Sequence, residues 1–187
     1  MKKQLLTLCF LAGLAVVSSS CKKEYDDKSL APLDQALAPI PVTVTNADFF
    51  ERYYVVVAKA PSGAFSINFS IPADKGKIKE ITRVAVGGSG LLNVQVGAPT
   101  LLYNFNGMTS TSAGFTPIPG NGSNTITFSS TLAAYTTYRT RVGPGVAPTP
   151  ATVSATPQSP NQIEFYFLIT LEDGTTIIPP LVRVRVV

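Results

Sequence analysis

Alternation of apolar and polar residues dominates the second part of the chain. Every second residue from Phe65 to Ile71 is apolar, and the same period returns from Ile163 to Leu171. A period of two places successive side chains on opposite faces of a β-strand, so that one face is buried and the other meets solvent. These two segments therefore predict half-buried strands.

Other short apolar segments, most of them bounded by Gly, Pro, Asn or Ser, predict further strands. They are residues 53–58, 78–86, 91–96, 101–105, 125–128 and 181–187. The Asp173-Gly174 pair favours a tight hairpin, which we expect to join the strand ending at Leu171 to the closing strand. Residues 131–138, with apolar side chains at intervals of three, predict a short helix.

Short, closely spaced strands without a repeated strand-helix-strand unit argue for packed antiparallel sheets. We expect an all-β fold, an antiparallel β-sandwich of about seven to nine strands, over residues 42–187. The closing Leu-Glu-Asp-Gly-Thr and Val-Arg-Val-Arg-Val segments are similar to the last two strands of immunoglobulin-like domains in Bacteroidota surface lipoproteins. This resemblance implies an immunoglobulin- or fibronectin-like sandwich, here without the Cys and Trp of antibody domains.

The start of the chain has the features of an export signal. Two lysines precede an apolar run of thirteen residues, 5–17, which is followed by three serines and Cys21. This order predicts a lipoprotein signal peptide over residues 1–20 and a lipid on Cys21. Thirteen apolar residues are too few for a membrane-spanning helix, which needs about 20. Ordinary cleavage is the alternative, because Ser18 and Ser20 form a small-x-small site.

Residues 21–41 predict a disordered tether, because they are charged at first, then proline-containing, and show neither strand nor helix periodicity. Glu24, Asp26 and Asp27 follow the cysteine closely. The leader, these acidic residues and the tether together resemble exported lipoproteins of Bacteroidota. The resemblance implies an outer-membrane lipoprotein displayed at the cell surface.

Composition argues against most catalytic chemistry. The chain contains no His, and its two cysteines are Cys9, in the leader, and Cys21. Nucleophilic catalysis normally uses one of these residue types as base or nucleophile, so we expect neither an enzyme nor a cofactor. Without its two leader lysines the chain has 13 basic and 11 acidic residues, a net charge of +2. Such thinly spread charge does not predict a nucleic-acid partner.

Oxygen-bearing side chains leave two hypotheses open. A hydrolase would need two carboxylates in one cleft, whereas most carboxylates here occupy predicted turns and polar strand positions. Asn46, Asp48 and Glu51 are a local oxygen cluster that suits either calcium or a capping box of a short helical turn, and we expect no metal. Residues 87–90, Gly-Gly-Ser-Gly, predict a hairpin turn and not a phosphate-binding loop, because no Lys-Ser/Thr pair follows.

Aromatic side chains are the candidates for binding, and two arginines of the last strand have a different predicted role. Tyr53, Tyr54 and Phe115 are candidate ligand-binding residues that would stack on a partner, the alternative being that they belong to the core. Arg183 and Arg185 lie two residues apart, which places both on one face of the last strand. There they would discourage pairing with another sheet edge.

These observations predict a lipid-anchored cell-envelope interaction or structural module with no catalytic activity. Its expected partners are the membrane, through the lipid, and a protein or a glycan. The alternative is an accessory surface glycan-binding lipoprotein of a polysaccharide-uptake system. A structural or assembly role would be marked by an exposed apolar patch or an open strand edge.

Overall fold

The computed structural model describes residues 40–187 except for 51, 61–62 and 110–112. Cys21, the leader over residues 1–20, residues 21–39 of the predicted tether, and Glu51 lie outside the described residues. The described strands are β1 (Thr43–Val44), β2 (Asp48–Phe50), β3 (Tyr53–Ala58), β4 (Ala64–Ser70), β5 (Ile78–Val86), β6 (Ile118–Pro119), β7 (Thr125–Thr131), β8 (Gln162–Leu171), β9 (Thr176–Ile177) and β10 (Val182–Val186). Two helices, α1 (Gly90–Gln95) and α2 (Leu132–Val142), and the 3-10 turns Ala73–Lys75 and Pro99–Leu101 complete the fold.

Two sheets form the predicted all-β, sandwich-like architecture. The small sheet has the order β1-β4-β7, and the large sheet has the order β2-β3-β10-β8-β5-β6, with β9 also paired to β8. The predicted antiparallel pairing is wrong for one pair of strands: β10 is parallel to β3, whereas it is antiparallel to its other neighbour, β8. Since β10 lies between two strands, its arginines do not protect a sheet edge.

The main core lies between the two sheets. Aromatic side chains from β4, β7 and β8 interdigitate there, with ring centroids 4.8 Å apart for Phe69 and Phe167 and 5.2 Å apart for Phe128 and Phe167, both edge to face. This geometry is the favoured one for aromatic pairs. The alternating segments are therefore strands because one side of each meets this core.

Helix α2, predicted as a short helix at 131–138, closes one side of the core. Its buried residues are Leu132, Tyr135 and Tyr138, and the Thr131 side chain caps its first turn by accepting from the Ala134 N-H at 3.0 Å. Burial raises the pKa of both tyrosines to about 12. None of the described helices has the length and apolarity to cross a bilayer.

The predicted strand at residues 91–96 is wrong, because this segment forms α1. Its sequence alternates only in part, and the structure buries Val94 while Leu92 and Val96 are exposed. The preceding Gly-Gly-Ser-Gly segment is therefore not a hairpin turn but leads into a helix that lies on the large sheet. Residues 101–105, also predicted as a strand, form the end of a 3-10 turn and a loop.

The predicted hairpin turn after Leu171 is present, with Gly174 at φ 87°. The strand that it joins to β8 is β9, however, and not β10. Pro179 and Pro180 separate β9 from β10, since proline cannot donate a ladder hydrogen bond. Both strands nevertheless pair with β8.

Candidate functional site

The outer face of the large sheet, turned away from the main core, has a covered half and an open half. In the covered half, α1 and the following loop bury Ala85, Val94 and Leu102 in a second, smaller apolar cluster. The open half is formed by β3, β10 and the start of β8. Register places Arg183 between Val55 and Glu164, and it places Arg185 between Val57 and Gln162.

Arg183 is held by its neighbours. Its guanidinium carbon lies 3.7 Å from the centroid of the Tyr53 ring, and its Nη2 lies 3.4 Å from Glu164 Oε1. A guanidinium stacked on an aromatic face and paired with a carboxylate has both an apolar and an ionic partner. Arg183 is therefore part of the structure of the sheet surface.

Arg185, two residues further on, has no such partner. It forms no hydrogen bond or ion pair with any residue that the structure describes. Its buried Nε is unpaired, as is the Nε of Arg183, but Arg185 also has no carboxylate on its terminal guanidinium nitrogens. Its nearest aromatic neighbour is the Phe50 ring, with 5.9 Å from the guanidinium carbon to the ring centroid. A buried donor without a partner costs about 1–3 kcal/mol, so Arg185 is the polar group here most able to gain from a ligand.

A cleft of about 440 Å³, which we call the arginine cleft, surrounds this guanidinium. This volume lies in the range of small-molecule and peptide subsites, about 300–1,000 Å³. Among the described residues, the groups in it are an aromatic ring, two amides, a hydroxyl and the guanidinium, and none of these residues contributes a carboxylate. Its lining residues are Phe50, Pro157, Gln158, Ser159, Pro160, Gln162 and Arg185.

The loop before β8 forms the far wall of the arginine cleft and is held by hydrogen bonds. Asn161 Nδ2 donates to Thr152 O at 2.7 Å, and Thr149 Oγ1 donates to Gln162 O at 3.1 Å. Ser159 N donates to Thr156 O at 2.9 Å. These bonds and the prolines fix the wall, so a ligand would meet a largely preformed surface.

Two smaller grooves adjoin the arginine cleft. The first, about 230 Å³ and here called the proline groove, shares Pro157 and Pro160 with it; its other lining residues are Val153, Ser154, Val186 and Val187. The second, about 140 Å³, shares Phe50 and Arg185 with the cleft and is otherwise lined by Asp48, Val55 and Val57. Asp48 forms no ion pair with Arg185.

Exposed apolar side chains border these three grooves. Phe50, Val57, Val153 and Val187 each line one or two of them, and they are between 43% and 56% exposed. Single exposed apolar residues are ordinary, but a group around one depression is typical of an interaction site. We call the three grooves with these side chains the docking surface.

Of the predicted binding residues, none lines the arginine cleft. Tyr53 and Tyr54 are successive strand residues on opposite faces, so they do not form a joint platform: Tyr53 lies under Arg183, and Tyr54 contacts Phe49 edge to face at 5.3 Å. Phe115 packs against the small apolar cluster of the covered half, 5.3 Å from the Arg83 guanidinium carbon.

Asn46 and Asp48, the described members of the predicted oxygen cluster, have separate positions in the fold. The Asn46 amide bridges two points of β4, donating to Ser66 O and accepting from Asn68 N, each at 2.9 Å. Asp48 lies in β2 and caps no helix, so the capping-box alternative is wrong. Within the described part of the chain, no three acidic, His or Cys side chains are grouped so as to hold a metal ion.

Three of the other described carboxylates have local partners. Asp74 pairs with Lys75 at 3.4 Å, and Glu80 accepts from Thr82 Oγ1 at 3.3 Å. Asp173 accepts from the Thr175 N-H at 2.8 Å in the hairpin turn, and this bond lowers the pKa of the Asp173 carboxyl. These carboxylates therefore act in turns and surface contacts.

A wider concavity of about 490 Å³ lies on the small sheet, at the end of the β4-β7 pair. It is lined by Ala64, Phe65, Ser66, Ser129, Ser130 and Thr131, contains no charged group and is broadly open. Because it offers neither a charge nor an enclosed wall, we place the candidate site at the docking surface despite the smaller volume.

Sequence reasoning did not identify Arg185 as a binding residue, because it placed Arg183 and Arg185 on one face of the last strand and predicted only protection of a sheet edge. The Val-Arg alternation predicts which side chains of β10 share a face. It does not predict the other walls of the arginine cleft, because Phe50 is far in the chain from Gln158 and Gln162. Comparison with protein-family models, with curated proteins and with solved structures finds no significant match.

Proposed function

We propose that this protein is a non-catalytic interaction module of the cell envelope, anchored through a lipid on Cys21, and that it binds a protein partner at the docking surface. The observation that supports this proposal is the unpaired Arg185 guanidinium in a preformed cleft that exposed apolar side chains border. Interface centres characteristically combine apolar anchors with arginine.

The chemistry of the docking surface favours binding over catalysis. Among the described residues, its charged groups are Arg185 and, in the adjoining groove, Asp48. A guanidinium stays protonated and cannot act as a base at neutral pH, and a hydrolase of the two-carboxylate kind needs a second acid near the first. The surface therefore has recognition groups without an acid-base pair.

Site-specific photocrosslinking in intact cells tests this proposal. A photoreactive amino acid replaces Phe50 in the full-length chain, and a matched control carries it at Thr127, which is exposed on the small sheet. We expect a discrete crosslinked species at position 50, suppressed by excess soluble protein comprising the compact unit Ala38–Val187, and none at position 127. Equal labelling at both positions would contradict a protein-docking role for this surface.

The anchor is tested separately by Cys21→Ala. We expect this variant to leave the membrane fraction, because a lipid on Cys21 is the proposed attachment. If the variant stays with the membrane, the lipid is not the anchor. This outcome leaves the docking surface unaffected.

Accessory glycan binding is the second candidate function, and the half-exposed Phe50 ring beside Gln158 and Gln162 favours it, because sugars stack on rings and bond to amides. The test is retention of the unit Ala38–Val187 on immobilised polysaccharides, with Phe50→Ala and the control Thr127→Ala. Retention that only Phe50→Ala abolishes would replace the protein partner with a glycan.

A further inference from the structure

We propose that the partner presents an extended peptide segment with two anchors, a carboxylate that binds Arg185 in the arginine cleft and a neighbouring apolar side chain that enters the proline groove. This inference rests on the proposed function and specifies the chemistry of the partner. It follows from the charge of one groove, the apolar lining of the next and the ridge between them.

Charge complementarity identifies the first anchor. Among the ion pairs of the described residues, Glu164 neutralises Arg183, whereas nothing neutralises Arg185. The planar guanidinium matches a carboxylate with two parallel N-H donors. The amide groups of Gln158 and Gln162, in the same cleft, are suited to peptide N-H and C=O groups beside that carboxylate.

The proline groove identifies the second anchor. Apart from the single hydroxyl of Ser154, its described lining consists of three valines and two prolines: Val153, Val186, Val187, Pro157 and Pro160. Such a groove gains from burying an aliphatic side chain and offers a hydroxylated sugar ring almost no hydrogen-bond partner. This favours a peptide over a saccharide.

The shared ridge determines how the two anchors are connected. Pro157 and Pro160 line both grooves, so a ligand that fills both must cross them. Side chains one or two residues apart in an extended peptide are separated by about 3.3–7 Å along the chain, and such a segment reaches over a ridge of this kind. A compact small acid would occupy only the arginine cleft.

Fluorescence anisotropy with synthetic peptides tests this inference on the full-length lipidated protein in nanodiscs of neutral phosphatidylcholine. The probes are labelled heptapeptides of Gly and Ser that contain one Glu and one Leu, separated by zero, one or two residues. Matched probes replace Glu with Gln or Leu with Ala. We expect at least one spacing to bind, with affinity lost by about tenfold for either replacement.

Variants of the protein show whether each anchor acts where we place it. Arg185→Gln should abolish the preference for Glu over Gln while leaving the preference for Leu, and Val153→Ser should do the reverse. Arg183→Gln, the matched control, should retain both preferences because its guanidinium already pairs with Glu164. A variant that merely unfolds would lose both preferences at once, and its circular dichroism would reveal this.

Four results would overturn the inference. One is equal binding of the Glu and Gln peptides, and another is a Glu preference that Arg183→Gln removes and Arg185→Gln does not. The third is retention on a carboxylated polysaccharide, polygalacturonate, that depends on Arg185 when no peptide binds. If no probe binds while crosslinking at position 50 persists, the inference fails and the proposed function stands.

Discussion

The covered and open halves of the large sheet's outer face share strand β8 but differ in burial. One half is covered by a second layer, and the other is exposed to solvent. Along β8 the outward residues are Gln162 and Glu164 at the start, then Tyr166 and Leu168. Where the outward positions are apolar, α1 and its loop bury them; where they are polar, the face meets solvent. The polarity of the outward residues along one strand thus indicates which part of the sheet is covered by a second layer and which part stays accessible.

The largest expected difference between the two halves concerns burial. Leu102→Ala, in the fully buried cluster of the covered half, should lower the free energy of unfolding by about 2–4 kcal/mol, because it removes packed methyl groups and leaves a cavity. Val57→Ala, in the open half, should change it by about 0.5 kcal/mol or less. Urea unfolding of both variants measures this; equal losses would contradict the division into two halves.

Helix α1 should also depend on glycine at the point where it meets β8. A Cβ at Gly90 would lie 2.1 Å from Tyr166 Cδ2, whereas a Cβ at Gly88 meets nothing within 4 Å. Gly90→Ala should therefore cost about 1–3 kcal/mol of unfolding free energy through overpacking, with Gly88→Ala close to neutral. A tolerated Gly90→Ala would show that α1 shifts easily on the sheet.

The smallest effect is a pH dependence from the covered half. Burial raises the pKa of Tyr166 above its usual 10.0, and the Glu164 carboxylate adds to this. A tyrosine with a raised folded-state pKa contributes stability that is complete below pH 10 and is lost as pH rises through the folded value. Tyr166→Phe should make the loss of stability above pH 10 less steep. Urea unfolding at several pH values measures this slope, and an unchanged slope would contradict it.

Strand prediction succeeded where the chain alternates without interruption, in β4 and β8, and also at two apolar segments with a less regular pattern. The bounds 53–58 and 78–86 agree with β3 and β5, because each strand has one face in the main core. The prediction for residues 91–96 failed for a physical reason. Six residues with mixed apolar positions fit a strand or a helix, and the burial of Val94 with Ala85 and Leu102 depends on contacts with distant parts of the chain.

The candidate site was less predictable than the fold. The sequence placed both arginines on one face, but their difference depends on cross-strand neighbours. Glu164 and Tyr53 contact Arg183, whereas Arg185 has the more distant Phe50 ring beside it and no ion pair among the described residues. One of the two strands beside β10 is β3, which lies more than a hundred residues earlier in the chain. Local periodicity contains no information on such long-range pairing.

The parallel pairing of β3 with β10 has a mechanical consequence. Five residue pairs, from Val182 with Tyr54 to Val186 with Ala58, connect these strands in the same direction. A pull on the start of β3 and the end of β10 would slide one strand along the other, so that all the ladder bonds bear the load together instead of opening one after another. A domain built in this way would withstand traction applied at these two points, and the bonds would yield in a single step.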